Sequence, residues 1–164
     1  MKFEIKFESL EKLEKRLKRL EEKVSLASPI DRQALSDSFG LVMTQDVQKR
    51  FASSPTTSTG GMVHGQVFWR KLSDSYLLKK PERVNGKVLV DTTRLMSSFK
   101  VESPELISEF VSEYSYNFGT RVPYAEKLQK TWPIVVFHQE VMVELRNAYL
   151  NWLYKVFDES EVFS

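Results

Sequence analysis

Apolar residues recur every three to four positions along two long stretches, one in the first third of the chain and one at its end. Leu35, Phe39, Val42, Met43, Val47 and Phe51 line one face of the first stretch. Phe137, Val141, Leu145, Ala148, Trp152 and Val156 line one face of the second, which follows Trp132-Pro133. This spacing predicts two long amphipathic helices, each obliged to bury its stripe against another element. Between them the period falls to two. Ile107, Glu109, Val111, Glu113 and Ser115 share one side of an extended segment, and Phe110, Tyr114 and Tyr116 share the other. Strands clustered between long helices predict an α+β fold, a small antiparallel sheet packed against two or three long helices. A chain of 164 residues with 41% hydrophobic side chains suits one domain with a real core, spanning 1–164.

The remaining segments take their expected places around that frame. Phe3, Ile5 and Phe7 alternate with charges and read as a short strand. Leu10, Leu13, Leu17, Leu20 and Val24 then form a narrow seam at helical spacing. That seam is too short for an independent coiled coil and suits a helix packed on its own domain or on a neighbouring subunit. Ser28-Pro29-Ile30-Asp31 is a capping start for the first long helix, in which Gly40 marks a close helix crossing. Residues 53–65, rich in Ser, Thr and Gly, have little apolar surface and read as a long mobile loop. After an irregular stretch and a short helix up to Leu78, the chain turns at Asn85-Gly86. Val88–Val90 and Lys100–Glu102 read as extended. Asp91-Thr92-Thr93 is placed to cap a short helix through Leu95 and Phe99, and Pro123-Tyr124-Ala125 opens another helical turn.

Several function classes lack the residues they need. The 24 Lys and Arg against 22 Asp and Glu leave a net charge of +2, too balanced for a typical nucleic-acid binder. The basic residues Lys12, Lys15, Arg16, Lys18, Arg19 and Lys23 are interleaved with Glu11, Glu14, Glu21 and Glu22, so the local field largely cancels. There is no cysteine, which removes disulfides and thiolate zinc sites. No apolar run reaches a membrane span and the N-terminus has no apolar signal core, so a soluble protein without export is expected. His64 falls in the presumed loop and His138 at the start of the last helix; neither belongs to a metalloprotease pattern. Gly60-Gly61 and Gly65 lack the Lys-Ser/Thr ending of a phosphate loop. The carboxylates mostly sit beside Lys or Arg at helical spacing and read as a solvated, paired face. No catalytic, cofactor-binding or metal-ligating set is therefore expected.

Two segments nonetheless carry a recognisable pattern. The first is Val88-Leu89-Val90-Asp91-Thr92-Thr93-Arg94-Leu95-Met96-Ser97-Ser98-Phe99, and the second is Phe118-Gly119-Thr120-Arg121-Val122-Pro123-Tyr124-Ala125. Together they resemble the phage virion morphogenesis (tail completion) family, which includes the Mu-like G and P2-like S proteins. Phe51, Trp69, Leu72 and the pair Lys79-Lys80 fall in the expected order upstream, and the resemblance covers roughly residues 34 to 129. Two positions depart from the family pattern. Thr93 stands where the family has glycine, so the turn is expected to form without a positive φ. Glu126-Lys127-Leu128-Gln129 replaces the family's His-x-Phe-Gly.

The resemblance implies a non-enzymatic structural protein of the phage neck and tail end, without a cofactor. It implies a ring-forming tail terminator that caps the tail tube and docks on the head connector, assembled in the host cytoplasm and retained at the head–tail junction of the virion. Ring closure needs a heterologous contact, with six subunits to match a tail tube and twelve as the alternative. Genomic DNA would pass through the lumen without base-specific reading. Trp69, Asp91, Thr92, Arg94, Leu95, Gly119, Thr120, Arg121, Pro123 and Tyr124 are the motif and interface candidates. The 53–65 loop would order on partner contact, while the N-terminal Leu seam and the last helix are further candidate contacts. A DNA-binding accessory protein using the basic N-terminal helix is the competing class.

Overall fold

The computed structural model describes residues 10–24, 29–90, 93–112 and 115–159. The expected strand at Phe3–Phe7, the caps Ser28, Asp91 and Thr92, and Glu113 and Tyr114 lie outside them. Among the described residues, α1 (Leu10–Val24) and α2 (Pro29–Ala52) precede a three-residue hairpin of β1 (Gly61–Val63) and β2 (Val67–Trp69). After α3 (Asp74–Lys79), a 3-10 turn at Pro81–Arg83 and α4 (Arg94–Ser97) comes a longer hairpin, β3 (Leu106–Ser112) with β4 (Ser115–Thr120). The helices α5 (Ala125–Thr131) and α6 (Gln139–Glu159) complete an α+β fold. No helix among the described residues is long and apolar enough to cross a membrane.

The stripe read from the sequence is what α2 buries. Its Leu35, Met43, Val47 and Phe51 lie in the core, facing α6 on one side and β3 on the other. Leu35 joins Trp152 and Val156 of α6, and Leu20 and Val24 of α1 pack on the same cluster. The helix α1 thus rests on its own chain, although its Leu17 remains 48% exposed. Met43 meets Val141 and Leu145. The largest cluster gathers Val47, Phe51, Trp69, Leu95, Phe99 and Val122 from five segments. Phe137 lies ahead of α6 and is 60% exposed, so it drops out of the predicted stripe.

Gly40 does mark a close approach, but to a strand instead of a helix. A Cβ at Gly40 would collide with the Ser108 hydroxyl on β3. Ser36, one turn earlier, donates to the Ser108 carbonyl at 2.7 Å, and the Ser108 and Tyr116 hydroxyls are 2.7 Å apart. Burial pushes the Tyr116 phenol up from its ordinary value, against the lowering effect of the Ser108 bond.

Residues 53–65 are not a long mobile loop. Ser54 donates to the Val88 carbonyl at 2.7 Å and Thr57, fully buried, donates to the Arg83 carbonyl. Thr56 bridges Lys87, the Leu72 amide donates to the Thr57 carbonyl, and the segment ends as β1. The small hydroxyl side chains that suggested disorder serve here as buried donors to backbone carbonyls, which supply order without apolar surface. β2 occupies part of the stretch expected to be irregular. Val88–Val90 forms no strand, since Leu89 takes a positive φ of 60°. Lys100–Glu102 is a turn, and the extended stretch beyond it folds back as a hairpin.

Thr93 corrects another expectation. It precedes α4 with φ 58° and ψ −12°, so the turn is left-handed after all, made by a β-branched residue. A left-handed conformation costs a side-chain-bearing residue roughly 1–2 kcal/mol, and glycine's extra chain entropy returns about 0.5–1 kcal/mol of that. Thr93→Gly should therefore stabilise the fold by about 0.5–1 kcal/mol in urea unfolding; a loss of stability would show that Thr93's side chain outweighs the strain.

Candidate functional site

The two motif segments meet across the turn that leads into β3. Arg94, at the start of α4, places Nη2 2.6 Å from Glu105 Oε1, and this bond raises the guanidinium pKa. Arg121, just past β4, donates from Nη1 to the Pro104 carbonyl at 2.9 Å, while its amide donates to the Glu105 carbonyl at 2.7 Å. One arginine from each segment thus grips residues 104–105. Both are exposed, so the ion pair adds little stability and acts mainly to position the turn. Thr120 Oγ1 accepts from the Val122 amide at 3.2 Å. Nothing lies within 4 Å of a Cβ built on Gly119, so nothing in the structure explains a glycine there.

Beside this clamp lies a groove of about 620 Å³, lined by Leu72, Tyr76, Leu95, Tyr124, Leu128 and Trp132 with Arg70, Lys71 and Arg83. Leu95 comes from the first motif segment and Tyr124 from the second. Trp132 donates its indole N–H to the Arg70 carbonyl at 2.8 Å, fixing one wall. Of the other candidates, Trp69 is fully buried and Pro123 is exposed. Trp69 donates to the Pro133 carbonyl at 3.0 Å and meets Phe51 edge-on, so it is a core anchor and not a surface contact.

A second centre was not expected from the sequence. Asp46 and Arg50, four apart on α2, are 2% and 0% exposed and pair at 2.7 Å through Asp46 Oδ2. The other oxygen, Oδ1, accepts from His64 Nε2 at 2.9 Å and His138 Nε2 at 2.7 Å. The two rings are edge-to-face with centroids 5.2 Å apart. Arg50 also donates through Nε to the His64 carbonyl at 3.0 Å and through Nη1 to the Ile134 carbonyl. One guanidinium thereby ties α2 to the β1–β2 turn and to the approach of α6, the two segments that carry the histidines. The Asp46 carboxylate is buried and fully engaged, an exception to the solvated, paired carboxylates that the sequence mostly presents. Gly65, in the β1–β2 turn with φ 79°, has no room for a side chain: a Cβ would lie 2.6 Å from His138 Cδ2 and 2.9 Å from Arg50 Nη2.

The available signal was the Asp46–Arg50 spacing on the flank of the α2 stripe, next to Val47 and Phe51. The convergence of both histidines is a product of tertiary topology. Among the described residues, Asp46, His64 and His138 form the one group of three such side chains with donor atoms mutually within 4.8 Å. Comparison with protein-family models, with curated proteins and with solved structures gave no match to this chain.

Proposed function

We propose that the chain is a non-enzymatic structural protein of the neck and tail end of a tailed bacteriophage, a ring-forming subunit that caps the tail tube and joins it to the head connector. The observation that best supports this is the groove to which both resembling segments contribute, through Leu95 and Tyr124. A heterologous ring contact needs two different complementary surfaces on one subunit. The groove is one. The helix α6 offers another, with Val143 51% and Tyr154 70% exposed on one side of it, about three turns apart. The ring has six subunits to match a tail tube, or twelve, and DNA passes through its lumen without base readout.

Tyr124 is 40% exposed at the groove, so a charge there should leave the fold within about 0.5 kcal/mol of wild type. Light scattering should give a closed oligomer for the wild type and a monomer for Tyr124→Glu. An oligomer indifferent to Tyr124→Glu would exclude the groove as the subunit contact. A wild type that stays monomeric even with tail tubes would exclude the ring.

A further inference from the structure

We infer that Asp46, His64 and His138 form a divalent transition-metal site, with zinc the ion that best fits its donors. The inference stands apart from the tail-end reading, since it rests on different residues from those that line the groove. Two imidazole nitrogens and one carboxylate oxygen converge from three separate elements: α2, the β1–β2 turn and the residue ahead of α6. Borderline-soft imidazole with one hard carboxylate suits zinc, at nitrogen–metal distances of about 2.0–2.1 Å. Tetrahedral coordination at that distance puts neighbouring donors about 3.3 Å apart. The two Nε2–Oδ1 separations of 2.9 and 2.7 Å therefore need to open by only about half an ångström.

The surroundings are those of a built site. Arg50 holds Asp46 Oδ2 at 2.7 Å, so the carboxylate is oriented with Oδ1 turned to the histidines. Outer partners that fix a ligand in this way are a regular part of metal centres. The same guanidinium binds the His64 carbonyl, which sets the position of that ligand's backbone. Gly65 allows the turn to approach His138 as closely as it does, because any side chain there would strike the ring.

Access comes from a cleft of about 420 Å³ lined by His64, Gly65, Gln66, His138, Gln139 and Glu140. His64 is 24% and His138 12% exposed along it, so an ion reaches both ring edges without unfolding. Three protein ligands leave a fourth position toward the cleft for water. Coordination through Nε2 moves each ring's proton to Nδ1, a tautomer change that leaves both imidazoles neutral. The ion would clip α2, the short hairpin and α6 together.

The test uses the full chain, freed of metal with EDTA and titrated with cobalt(II) and zinc(II). One cobalt per chain with the intense visible bands of low coordination is expected, displaced by zinc. Zinc at a hundred times its Kd should raise Tm by roughly 5–10 °C. His64→Gln and His138→Gln should each weaken binding at least tenfold. Wild-type protein that binds neither ion at one per chain would overturn the site, whatever the variants do. Unchanged affinity in folded His64→Gln/His138→Gln, verified by circular dichroism, would place the bound ion elsewhere and equally overturn it.

Discussion

Asp46→Ala is expected to lower the unfolding free energy by about 3–5 kcal/mol, the size of loss seen when one partner of a buried ion pair is removed. The cost comes less from the lost attraction than from what remains. Arg50 is fully buried and would keep its charge with only the carbonyls of His64 and Ile134 to receive it. Both histidines would also lose the oxygen they share. Removing the whole pair should be less harmful than removing half of it. Asp46→Leu combined with Arg50→Met should recover part of the loss, because the buried charge is gone. Recovery stays incomplete, since the two carbonyls then lack their donor. Urea unfolding reads both values; a loss below about 1 kcal/mol for Asp46→Ala would mean that water reaches Arg50 and that the pair is not the lock between α2, the hairpin and α6.

Trp69→Ala should cost a similar amount, about 3–5 kcal/mol, by a different route. Trp69 is fully buried at the end of β2, where Phe51 meets it edge-on at 5.8 Å. Its removal opens a cavity in the cluster that includes Val47, Phe99 and Val122, and strands the Pro133 carbonyl without its indole donor. Trp69→Phe separates the two effects. It refills most of the volume and leaves the carbonyl unpaired, for an expected loss of about 1–3 kcal/mol. Equal losses for the two substitutions, measured by urea unfolding, would show that the hydrogen bond and not the packing anchors the hairpin.

What the sequence made legible follows from how local each cause is. The stripes of α2 and α6 were readable because a 3.6-residue period repeats over many turns, and Leu35, Met43, Val141 and Trp152 were placed in the core on that ground alone. Phe110 and Tyr116 were placed on one face of a single extended stretch by the period of two; the reversal between them, which sets their rings 5.0 Å apart across a hairpin, was not legible in that period. Residues 53–65 were misread because their order comes from hydroxyl bonds to carbonyls some thirty residues away in sequence, such as Ser54 to Val88. Leu89 and Thr93 take left-handed conformations that their side chains disfavour, so propensity pointed the wrong way at both. Of the motif residues, Arg94 and Arg121 were singled out, and their shared grip on the turn at 104–105 emerged only in three dimensions. The histidine pair was the least legible feature, since nothing in a single sequence joins a turn after α2 to the start of α6.

The tail-end account predicts where the protein goes when offered its template. Purified tail tubes mixed with the chain and imaged by electron microscopy should carry one ring-shaped density at a single end, in a fixed orientation. Bare tube ends, together with DNA binding that weakens steeply with salt, would contradict the account and favour a nucleic-acid role for the basic first helix.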